Sequence, residues 1–204
     1  MKYLKLITAV LICLLLFAFS KAEYNDSNTL TALFKIERSK DKNQIFYDVN
    51  IDKSGNFDSE NPINIYWIKN TEGGKIKPLT WIQKKYAYGL KFLKIDADYA
   101  TFRFVSTKQM YFILKKTKDN HFKVYSKYKG QILNIERIFI QLDGGSFWLP
   151  NIKSVEIYAK NVKTGKAVIE IITPLKIRRK SSFNVLHFCA ILIMNYRHNI
   201  KSTL

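Results

Sequence analysis

Apolar and polar residues alternate along much of this chain, with the period of two that puts one side of a β-strand against a core and the other in water. Ile45, Tyr47, Val49 and Ile51 fall on one face, and Phe46, Asp48 and Asn50 on the other. The pattern returns at Ile63, Ile65 and Trp67, at Ala100, Phe102 and Phe104, and at Phe122 and Val124. It returns again at Ile138, Ile140 and Leu142, and at Val155, Ile157 and Ala159. Between the runs lie Lys53-Ser54-Gly55-Asn56, Glu72-Gly73-Gly74, Lys118-Asp119-Asn120, Tyr128-Lys129-Gly130, Asp143-Gly144-Gly145 and Lys163-Thr164-Gly165-Lys166, which supply the residues tight turns need. Thr164-Gly165-Lys166 reads as a short hairpin with Gly165 in the left-handed position. The expected fold is mainly β: a single antiparallel β-sandwich or barrel-like domain over residues 31–174.

One segment breaks the alternation. Leu79, Ile82, Tyr86 and Leu90 recur at helical spacing, Pro78 suits a first turn, and Gly89 suits the residue after a helix end. This predicts one short helix near residues 79–88, in competition with a strand, because Tyr86, Tyr88 and Leu90 also alternate.

The two ends differ from this body. Lys2 and Lys5 precede an apolar run from Leu6 to Phe19, and Ser20-Lys21-Ala22 places small residues at a cleavage site, so residues 1–22 read as a secretory signal cut after Ala22. The run is shorter than the ~20 residues of a spanning helix, which disfavours a retained anchor. Residues before Cys13 are too large for a lipid-attachment site. Residues 23–30 are polar and read as a flexible lead-in. After Pro174 comes a basic and apolar tail, residues 175–204, with Lys176, Arg178, Arg179 and Lys180 clustered ahead of a mostly apolar stretch from Phe183 to Met194. It lies outside the expected domain, and the four cations are its candidate membrane-proximal residues, facing anionic lipid.

Composition then bounds the class. With 204 residues, 47% of them hydrophobic, the chain can bury one substantial core, and with Cys189 alone left after the signal no internal disulfide supports it. The net charge of +18 invites a nucleic-acid reading. About half of it belongs to the signal and the tail, however, and the body's lysines are spread over every segment rather than gathered in one stripe. No nucleic-acid partner is expected; loose attraction to anionic glycans or lipid headgroups is.

Known chemistry is hard to place. His121, His187 and His198 have no metal-ligand spacing, and no nucleophile elbow, phosphate loop or dinucleotide fingerprint occurs, so no cofactor, metal or catalytic residue is expected. Asp52, Asp58 and Glu60 around Ser54-Gly55-Asn56 resemble a calcium loop in composition only, with the glycine misplaced. Asp96 and Asp98 read as a surface turn rather than a glycosidase pair. The aromatic residues are better material. Phe147 and Trp148 sit in a Gly- and Pro-bounded loop, and Trp81, Gln83, Tyr86 and Tyr88 lie on or beside the expected helix. Exposed rings stack on sugars or anchor protein partners.

Ile65-Tyr66-Trp67-Ile68-Lys69, Trp81-Ile82-Gln83-Lys84-Lys85-Tyr86-Ala87-Tyr88-Gly89-Leu90-Lys91, Arg137-Ile138-Phe139-Ile140 and Val155-Glu156-Ile157-Tyr158 together resemble a family of exported bacterial proteins, the domain of unknown function DUF4833. The resemblance covers roughly Leu33 to Pro174 and implies a periplasmic or secreted protein, with no catalytic residues to carry over. The resulting expectation is a non-catalytic envelope module that binds a glycan or an envelope protein. The alternatives are an envelope enzyme acting on glycan or peptidoglycan, built on Gln83, Lys84, Tyr86, Tyr88 and distant acids, and a protein held peripherally at a membrane by its tail.

Overall fold

The computed structural model describes residues 32–108, 110–145 and 150–173. The expected signal, the lead-in, the rings Phe147 and Trp148, and the tail with Lys176, Arg178, Arg179 and Lys180 lie outside the described residues. Within them the strands are β1 (Ala32–Arg38), β2 (Asp41–Val49), β3 (Ile63–Lys69), β4 (Lys75–Pro78), β5 (Leu90–Ile95), β6 (Tyr99–Phe104), β7 (Phe112–Lys116), β8 (Phe122–Tyr128), β9 (Gln131–Gly145), β10 (Pro150–Asn161) and β11 (Ala167–Ile172). A short helix, α1, begins at Trp81–Gln83 and continues as a π-helical turn over Lys84–Tyr88.

The fold is mainly β, and each predicted alternation lies on a strand with its apolar side inward. Ile45, Tyr47 and Val49 are buried, as are Ala100, Phe102 and Phe104, Phe122 and Val124, and Val155, Ile157 and Ala159. Ile51 departs from its run, exposed beyond the end of β2 in an isolated bridge to Phe57. Gly165 has φ +69°, the left-handed geometry that closes the β10–β11 hairpin.

The strands join one 11-stranded sheet ordered β4-β3-β2-β1-β9-β8-β7-β6-β5, with β10 on the other side of β9 and β11 beyond it. β9 is long because it serves two neighbours in turn. Its Gln131–Asn134 pair with Tyr128–Tyr125 of β8, and its Arg137–Ile140 with Lys35–Arg38 of β1. The β1–β9 pair is parallel, so the sheet is mixed and the antiparallel expectation is corrected at this junction. Alternation tells which face of a strand is buried but not the direction of its neighbour.

Branching from β9 at successive points, the β1–β4 and β5–β8 meanders curl into a half-barrel around a shared core. Phe34 stacks on Tyr47 with ring centres 4.4 Å apart, and Phe104 of the other meander meets both edge-on at 6.1 and 5.7 Å. Phe57 and Phe122 bridge the meanders at 6.1 Å. Burying each such side chain contributes about 1.5–3 kcal/mol.

Candidate functional site

The local sequence Thr80-Trp81-Ile82-Gln83 starts α1. The Thr80 hydroxyl accepts the Gln83 backbone N–H at 3.3 Å, and Gln83 Oε1 accepts the Thr80 backbone N–H at 3.0 Å, a complete capping box. Pro78, expected in the first turn, instead closes β4 opposite Tyr66, and Thr80 takes over the start because its side chain satisfies a free N–H, which proline's cannot. Gln83 Oε1 also accepts the indole N–H of the buried Trp67 at 3.2 Å, tying the cap to β3.

The π-turn sets the phase of the residues after Gln83. Its wider turn carries Tyr88, rather than Tyr86, to the core side, where Tyr88 is 6% exposed and meets Trp67 edge-on at 5.9 Å. Arg38 donates to the Tyr88 hydroxyl at 3.2 Å, and the Tyr47 hydroxyl donates to the Tyr88 backbone oxygen at 2.8 Å. Burial pushes the Tyr88 phenol above its usual range, with the Arg38 guanidinium pulling the other way. Arg38, itself ion-paired with Asp41, lies 5.2 Å from the Trp67 ring centre, and Lys69 lies 4.4 Å from it. The helix ends at Gly89 for a steric reason, since a Cβ there would stand 1.9 Å from the Lys84 carbonyl oxygen.

With one side pinned in this way, α1 presents the other to solvent. Trp81 is 66% exposed, and its ring lies 6.5 Å from that of the half-buried Tyr86. The Lys85 ammonium lies 5.7 Å from the Trp81 ring centre and 5.2 Å from that of Tyr86. Exposed Lys84 and Ile82 flank them. The predicted site residues of this segment therefore divide: Trp81 and Tyr86 share a surface, while the side chains of Gln83 and Tyr88 are engaged within the fold. Lys85 joins the surface although its spacing in the sequence gave no sign of it.

The family described as Domain of unknown function (DUF4833) matches residues 34–171, which takes in the helix, its anchors and nearly every described strand. The chain belongs to the DUF4833 family. No curated protein and no solved structure matches it.

Elsewhere the DUF4833 domain has acids and hollows of the kind that chemistry uses, and their partners are informative. In the loop that resembles a calcium site, Asp52 Oδ1 accepts from the backbone N–H groups of Ser54 and Asn56 and from the Ser54 hydroxyl, at 2.7 to 3.0 Å. The cation at that loop is the chain's own Lys116, whose ammonium donates to the Gly55 carbonyl at 2.7 Å. Asp96 is paired with Lys94 at 2.6 Å, and this hydrogen-bonded lysine holds its carboxyl below the usual range. A cavity of about 60 Å³ is lined by Ala87 and Tyr88 with Ile36, Phe104, Ile138 and Ile157 and is largely apolar. A larger open cleft, about 400 Å³, lies where β8 and β1 part from β9, with Lys35, His121, Lys123 and Glu136 at its walls. Of Gln83, Lys84, Tyr86 and Tyr88, only Tyr88 lines either hollow.

Proposed function

We propose that this domain is an exported, non-catalytic binding module that takes an anionic glycan on the outer side of α1. The observation that carries the reading is Trp81, a large ring 66% exposed on a helix whose opposite side is fixed by hydrogen bonds to β1, β2 and β3. A ring held in water on a rigid support is pre-organised for stacking, so little freedom is lost when a sugar covers it. Lys85, beside both Trp81 and Tyr86, supplies a positive charge where a stacked sugar would carry its carboxylate or phosphate. Stacking gives the contact its orientation and survives salt; the lysines add attraction that salt screens.

The test is binding of the full chain to an array of neutral and anionic glycans at low and high salt. Saturable binding to anionic members that weakens at high salt without vanishing, and that Trp81→Ala abolishes, is the expected result. Binding that salt removes entirely, or that Trp81→Ala leaves unchanged, overturns the reading.

A further inference from the structure

Scattered along the chain, the cations of the β5–β8 meander are gathered by strand register onto one face. Phe102, Leu114 and Val124 are buried on the core side of β6, β7 and β8, and the residues that alternate with them face outward. The pairing sets Lys91 of β5 directly opposite Arg103 of β6, and Lys115 of β7 directly opposite Lys123 of β8. Lys127 lies on the same side of β8 as Lys123. Like charges that face each other across a ladder destabilise it. Nothing in the meander offsets them, because β5, β6, β7 and β8 contain no acid. Acids of the adjoining segments are engaged: Asp96 pairs with Lys94 at 2.6 Å, Glu136 with Lys160 at 2.7 Å, and Asp119 faces His121 at 3.9 Å. Arg103 donates to the backbone oxygens of Phe104 and Thr107 at 3.3 and 3.0 Å, which hold its guanidinium without neutralising it.

Large apolar side chains stand among these cations. Tyr111 and Ile113 are 52% and 41% exposed, and Ile132, directly opposite Lys127, is 54% exposed. This decides between kinds of anionic partner. A linear polyanion engages the lysines and leaves the isoleucines in water. The surface of a bilayer takes both, since phosphates meet the ammonium groups, tyrosine rests at headgroup level and aliphatic side chains enter the boundary with the acyl chains.

We propose that the outer face of β5–β8 docks on an anionic lipid bilayer, with Lys91, Lys115, Lys123 and Lys127 at headgroup phosphates and Tyr111, Ile113 and Ile132 among the headgroups. Phosphates relieve the repulsion across the two ladders, so the lipid stabilises the face that binds it. The face shares no residue with the α1 surface or with the basic tail, and the α1 reading stands or falls without it.

Lysine acetylation of the full chain, with vesicles of phosphatidylcholine alone or of phosphatidylcholine mixed with phosphatidylglycerol, reads the contact residue by residue, however else the chain is held at the membrane. The expected result is Lys115, Lys123 and Lys127 reacting at least about fivefold more slowly on the anionic vesicles, while Lys153, on β10 beside the far end of β9, reacts at one rate on both. Lys115→Gln/Lys123→Gln removes an opposed pair, so it melts no lower than the parent, and it is expected to lose the protection of Lys127. Trp81→Ala is expected to keep that protection, and the exposed pair Ile113→Ser/Ile132→Ser to weaken it. Lysines of this face that react alike on both kinds of vesicle overturn the proposal, as does protection of Lys127 that survives Lys115→Gln/Lys123→Gln or disappears in Trp81→Ala. Protection unchanged in Ile113→Ser/Ile132→Ser assigns the face to a linear polyanion and overturns the bilayer.

Discussion

Gly89 and Asp48 are positions where single atoms decide the outcome. Adding a methyl group at Gly89 drives it against the Lys84 carbonyl oxygen, a backbone atom that cannot move without opening the π-turn. Gly89→Ala is therefore expected to cost about 2–3 kcal/mol in urea denaturation, although the glycine's φ of −67° is ordinary. Asp48 works the other way. It is 8% exposed, accepts the Tyr66 hydroxyl at 2.7 Å through Oδ2, and has no hydrogen-bond partner at Oδ1. Burial pushes its carboxyl above the usual 3.8, more than the Tyr66 bond lowers it. With the folded value above the unfolded one, stability falls as pH rises through the interval between them. Asp48→Asn is thus expected to stabilise the protein by about 1 kcal/mol at neutral pH, a gain that shrinks as the pH is lowered through that interval; melts across pH check it. The sequence showed that Asp48 lay opposite a core face. It did not show that Tyr66, a neighbour across β2 and β3, closes over it.

At the scale of elements, α1 is where pattern and structure differ most usefully. The existence of a helix was legible, as was its end at Gly89. Its inward face was not, because Leu79, Ile82, Tyr86 and Leu90 follow an α-helical period and the chain takes a π-turn after Gln83. Ile82 is 41% exposed, and Tyr88 is the buried residue. The capping box was a signal available in Thr80-Trp81-Ile82-Gln83 that could have placed the start. Gln83→Ala keeps the Thr80 hydroxyl bond but removes the reciprocal half of the capping box and the acceptor for Trp67, and is expected to cost about 1–2 kcal/mol. Trp81→Ala, two residues away but outward, is expected to change stability by no more than about 0.5 kcal/mol in the same melts. Five strands escaped the reading for physical reasons, among them β4, whose four residues are too few to show an alternation. β1 buries Leu33 and Phe34 side by side at a bulge, β5 slips in register, β7 exposes Ile113 between buried Phe112 and Leu114, and β11 is apolar on both faces.

For the molecule as a whole, class was legible and topology was not. The parallel meeting of β1 with β9 joins residues about a hundred positions apart, and nothing local announces it. Once formed, the junction is held on its outer side by Glu37, which accepts from Arg137 at 2.9 Å, Lys35 at 2.7 Å and Gln44 at 2.6 Å. Arg137 in turn lies 3.7 Å from the ring centre of Tyr158 on β10. Burial alone would raise the Glu37 carboxyl, but Lys35 and Arg137 outweigh it and hold it below the usual 4.5. Its contribution is therefore present above that value and lost as pH falls through the lower, folded value. Glu37→Gln is expected to destabilise the protein by about 1–2 kcal/mol at neutral pH and progressively less in acid, as followed by denaturant melts.

The central claim is that α1 has an anchoring side and a contact side, and calorimetric titration of the full chain and of Trp81→Ala with a uronate-containing oligosaccharide tests it most directly. The account predicts binding at least about tenfold weaker in the variant, a difference of about 1.4 kcal/mol, in a protein that melts at the same temperature. Equal affinity in the two proteins, or a variant that loses binding only because it loses its fold, would contradict it.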